Sequence, residues 1–140
     1  MSSQKRISRA YDTARRISFN DASKFIIFSD CHRGDNSFAD DFANNRNVYF
    51  HALKHYYKEG FCYCELGDGD ELWENKSFKS IHEAHKNVYD LLQLFYNDDR
   101  WYPILGNHDM AYQNKKYVEK HLSTYFDKVT GKQQPLFPNI

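Results

Sequence analysis

The chain is expected to fold as an α/β layer of the form β-α-β-α-β, and three observations predict it. Three short apolar runs occur, at 25–28, 61–66 and 101–105. Segments with helical spacing separate them. Each run ends in acidic or amide residues beside glycine. Alternation of this kind produces a parallel sheet through right-handed crossovers.

The first run, Phe25 to Phe28, is apolar throughout, as a strand buried on both faces would be. The next segment places Phe42, Val48, Tyr49, Leu53 and Tyr56 at helical intervals and stops near Gly60. Phe61 to Leu66 reads as the second strand, with Cys62 and Cys64 on one face. Phe78, Ile81, Val88, Leu91, Leu92 and Phe95 then predict one helix starting after Ser77. Trp101 to Leu105 is the third strand, and a last helix is expected over 115–126, with Val118, Leu122 and Tyr125 inward.

At 140 residues the chain suits one domain, and 41% hydrophobic with 27% charged residues is ordinary globular usage. Net charge is zero, so nucleic acid is not indicated as a partner. Residues 1–20 carry Lys5, Arg6, Arg9, Arg15 and Arg16 against Asp12 alone, which leaves 21–140 acidic and suited to a cation. The basic segment, 1–20, is read as a separate solvated helix. Three cysteines cannot all pair with one another, and no signal peptide or membrane span is apparent, so a reducing cytoplasmic setting is expected.

The strand ends carry the chemistry. They read Ser29-Asp30-Cys31-His32, Gly67-Asp68-Gly69-Asp70-Glu71 and Gly106-Asn107-His108-Asp109. In an open parallel sheet, ligands bind at the carboxyl ends of strands. Oxygen donors mixed with imidazole suit manganese, iron or zinc. His51 and His55, with Ala52 between them, lack the glutamate of a zinc-protease helix and read as ordinary helix residues, as do His82 and His85.

These three motifs, in this order and each after a strand, resemble the amino-terminal half of the calcineurin-like metallophosphoesterases: Asp-x-His, Gly-Asp-x-x-Asp/Glu and Gly-Asn-His-Asp/Glu. The resemblance spans about 24–110. It implies the first half of an α/β/β/α sandwich, 21–140 being a partial domain, and hydrolysis of phosphomonoesters, phosphodiesters or pyrophosphates by metal-bound hydroxide. It implies two divalent ions, manganese first, with Asp30 and His32 on one, Asp68 bridging and Asn107 on the second. His108 would serve the leaving group, oriented by Glu71, with Asp109 supporting the turn. Arg33 is expected either to contact phosphate, alongside Asn107 and His108, or to form a surface salt bridge. Leu72 stands where the serine/threonine phosphatases of that superfamily carry arginine, which argues against that branch.

The family completes its site with later histidines, and after His108 this chain has only His121. Truncation is the expected reason, with self-association through uncovered apolar surface as a linked expectation. The alternative is a non-catalytic binding module with a degenerate metal site.

Overall fold

A computed structural model describes residues 2–121, 124–126 and 133–135. The order is α1 (Ser3–Thr13), β1 (Phe25–Phe28), α2 (Arg46–Lys58), β2 (Cys62–Leu66), α3 (Phe78–Ala84), α4 (Lys86–Asn97), β3 (Trp101–Ile104), a 3-10 turn (Met110–Gln113), α5 (Lys115–His121), β4 (Thr124–Phe126) and β5 (Gln133–Pro135). The first three strands form one parallel sheet in the order β1-β2-β3, with Phe25 opposite Cys62 and Tyr63 opposite Trp101. The β-α-β-α-β alternation read from the sequence is therefore present as a mixed α/β fold.

Alternate strand residues decide the packing. Phe28 and Tyr63 turn toward the helices, where their rings meet Tyr49 and Tyr56 of α2 and Phe95 of α4. Leu53, Ile81, Val88, Leu91 and Leu92 complete this core. Ile27, Leu66 and Ile104 are exposed instead. No residue of α1 is buried, and the helix covers 3–13 of the 1–20 expected, leaving Arg15 and Arg16 outside it.

Three helix expectations need correction. Phe42, expected at helical spacing with Val48, lies before α2 begins at Arg46, and Val48 itself is exposed. The helix over 78–97 is two helices, because His85 leaves helical geometry (φ −118°, ψ 33°) and serves both as the end of α3 and the start of α4. The His85 Nε2–H donates to Asp40 Oδ2 at 2.7 Å with both side chains fully buried, so His85 is not an ordinary helix residue. The last helix, expected to reach 126, ends at His121, and Thr124–Phe126 pairs antiparallel with Gln133–Pro135. The inward residue expected at 122 lies outside the described residues. Among the described residues no helix is long and apolar enough to cross a membrane.

Candidate metal centre

The sheet delivers three loops to one rim, and backbone bonds fasten the first two together. The Asp30 N–H donates to the Gly67 carbonyl, His32 N–H to the Asp68 carbonyl (2.9 Å) and Arg33 N–H to the Gly69 carbonyl (3.0 Å). Glu71 N–H returns a bond to the Arg33 carbonyl at 3.0 Å. The third loop joins through the His108 N–H, which donates to Asp68 Oδ1 at 2.8 Å. Its own turn is closed by Asp109, whose carboxylate accepts the amides of Gly69 (2.9 Å) and Gly106 (2.7 Å). Burial raises the Asp109 pKa, and those two amides offset part of that rise.

Asp30, His32 and Asp68 all lie in the left-handed region, at φ 53°, 48° and 51°. Residues with a Cβ rarely adopt that region, and such outliers concentrate at functional sites. Ligand atoms of these three residues all lie within 4.8 Å of one another. Three donors from two loops thus converge through backbone conformations that cost energy.

Glu71 sets the chemistry of both imidazoles. Its Oε2 accepts from His32 Nδ1 (2.8 Å) and from His108 Nδ1 (2.6 Å). Its Oε1 accepts the backbone amides of Trp73 (3.1 Å) and Glu74 (3.3 Å). Burial alone would raise the Glu71 pKa, but these donors hold it below the usual carboxylate range. An ionised carboxylate only accepts, so both rings carry their proton on Nδ1. His32 is left with Nε2 as its ligand atom, the arrangement in which a carboxylate orients a metal-binding imidazole. The donor set therefore fits a divalent ion.

His108 stands edge-on to His32, ring centres 4.4 Å apart, and stacks on Trp73 at 4.2 Å and 27°. Its hydrogen bond to Glu71 raises its pKa. Asn107 occupies the same rim but is exposed, and among the described residues nothing hydrogen-bonds its side chain. The structure thus brings Asp30, His32, Asp68, Glu71 and His108 together, with Asn107 beside them at the edge of the group.

Arg33 is corrected on both counts. It faces neither substrate nor solvent: it is 1% exposed and bonded to Glu65 and Asp70. A signal was available, because Glu65 interrupts an apolar strand and an acid buried there requires a cation. Cys31 packs against the core, where burial pushes its thiol up to about 12. The room that Gly106 leaves is taken by Asp68, since a Cβ at 106 would lie 2.6 Å from the Asp68 nitrogen. A groove beside the cluster is lined by Asp30, His32, Asp41, Asn45 and Tyr49.

No family model matches this chain, and no curated protein or solved structure matches it.

Proposed function

We propose that this chain is a metal-dependent hydrolase of phosphate esters, its three-stranded layer being the first half of an α/β/β/α sandwich. The observation that carries the reading is the convergence of Asp30, His32 and Asp68. All three are left-handed, their ligand atoms lie within 4.8 Å, and Glu71 leaves His32 Nε2 free to ligate. These residues would hold the first ion. Asp68 and Asn107 would share the second, with manganese first and iron or zinc as alternatives. When bound, such ions supply Lewis acidity and neutralise phosphoryl charge.

The chain's own residues do the rest. Glu71 holds the Nδ1–H of His108 and favours its imidazolium form, in which Nε2 carries a second proton. That proton is the one His108 would deliver to the departing oxygen, leaving the neutral Nδ1–H ring. The Trp73 stack restricts that ring further. The groove lined by Asp41, Phe42 and Asn45 adjoins Asp30 and His32 and would receive part of the substrate.

A second reading, a metal-binding module without turnover, is favoured by the short donor set of the second ion, to which the assignment above gives Asp68 and the exposed Asn107 alone. Calorimetric titration with manganese, alongside nitrophenyl phosphate hydrolysis, separates the two. The expected result is one weak site, lost in His32→Ala, with slow hydrolysis that His108→Ala abolishes while manganese is still bound. Binding with no hydrolysis, or with hydrolysis indifferent to His108, favours the module. Failure to bind manganese, iron or zinc sinks both.

A further inference from the structure

Arg33 follows a candidate ligand directly yet is more deeply buried than any of the candidate ligands. Its Nε–H donates to Asp70 Oδ1 at 2.7 Å, and its two terminal nitrogens donate to the Glu65 carboxylate at 2.6 and 3.1 Å. The acids have further donors. Tyr89 and Tyr112 hydroxyls each reach Asp70 at 2.5 Å, and the Tyr63 hydroxyl reaches Glu65 Oε1 at 2.8 Å. One guanidinium thus bridges two acidic side chains in the interior.

Stability alone does not account for such a network, because removing three charges from water offsets most of their attraction, and apolar packing of equal volume often does as well. Its placement does. Glu65 lies on β2, two residues before Gly67, and Asp70 lies between Asp68 and Glu71. Arg33 therefore ties the loop bearing Asp30 and His32 to the strand and loop bearing Asp68, adding side-chain bonds to the backbone rungs formed by His32, Arg33 and Glu71. Gly69 shows how closely the parts are fitted. A Cβ there would stand 2.6 Å from the guanidinium and 2.9 Å from the Glu65 carboxylate.

We infer that Arg33, held by Glu65 and Asp70, is a positioning residue for the cation site: it keeps the left-handed His32 and Asp68 at the separation a metal ion requires. This rests on the metal reading above. Lysine cannot replace it, since a single ammonium has no planar fork with which to meet two acids at once.

The test is manganese titration of the 140-residue chain and its Arg33→Lys variant, with thermal unfolding of each. Leu53→Ala serves as a control that loosens the core on α2, away from the ligand loops. Arg33→Lys is expected to stay folded and bind manganese about tenfold or more weakly, the usual penalty for losing a group that supports ligands. Leu53→Ala is expected to lose thermal stability and keep its affinity. Unchanged affinity in Arg33→Lys, or an equal loss in Leu53→Ala, overturns the inference and leaves the metal reading standing. If Arg33→Lys does not fold, Tyr112→Phe takes its place: weaker binding in a folded protein supports the inference, and wild-type binding overturns it. A wild-type chain that takes up no manganese overturns the metal reading, and this inference with it.

Discussion

Replacing Gly106 by alanine tests the site through a residue that is no ligand. The glycine is not there for a left-handed turn, which distinguishes it from Gly67 at φ 78°. A methyl group at 106 would meet the Asp68 carboxylate carbon at 2.5 Å and the Asp68 backbone nitrogen at 2.6 Å. Ordinary contact between such atoms requires about 3.5 Å, so Asp68 or the third loop must retreat by about 1 Å. The carboxylate cannot simply swing aside, because its Oδ1 is held by the His108 amide. Overpacking of this kind costs about 1–3 kcal/mol of stability. The effect on metal should be larger in proportion, since a ligand set tolerates displacements of only about 0.5 Å. Urea unfolding and manganese titration measure the two quantities. A Gly106→Ala protein with wild-type stability and affinity would refute the claim that Gly106 makes room for Asp68.

Asp68→Asn keeps an oxygen for the His108 amide but loses the charge, so it should remain folded and lose more manganese affinity than Asp30→Asn; the reverse order in titration would remove Asp68 from its shared role. Glu71→Gln presents one acceptor oxygen to the four donors that now share a carboxylate, and should cost about 1–3 kcal/mol in urea unfolding together with manganese affinity. A neutral effect on both would show that Glu71 orients neither imidazole. His82 lies half-buried against Phe78 and Tyr89, and burial, with Lys86 adding to it, holds its pKa below the ordinary 6.5. The unfolded chain therefore binds the proton more readily, so this contribution is intact above about 6.5 and stability falls as pH drops below it. Unfolding of wild type and His82→Gln at pH 5 and 7.5 should show the steeper dependence in wild type, and equal slopes would count against it.

The strands were legible because their signal is local. Phe25–Phe28 was read to the residue, since an unbroken apolar run carries its own boundaries. The convergence of Asp30, His32 and Asp68 was legible for the same reason: each follows a strand, and parallel strands deliver their ends to one rim. What escaped depends on partners distant in sequence. Nothing near His85 announces that Asp40, 45 positions earlier, will draw its imidazole inward and divide a helix. Arg33 resembles any surface arginine unless Glu65, 32 residues away and interrupting an apolar strand, is taken as an acid that needs a buried cation, and even then nothing local says which cation.

Asp40 has a consequence of its own for the rim. One oxygen of its carboxylate accepts the amides of Gly34, Phe42 and Ala43, and the other accepts the Asn36 amide and His85. The stretch between β1 and α2 is thus organised around one interior anion, with no strand or helix of its own to hold it. Asp35, Ser37 and Phe38, all exposed, stand outside that hub. The loop is therefore divided into an inner set fixed by Asp40 and an exposed outer set, and the outer set can be substituted without breaking the bonds that hold the loop in place.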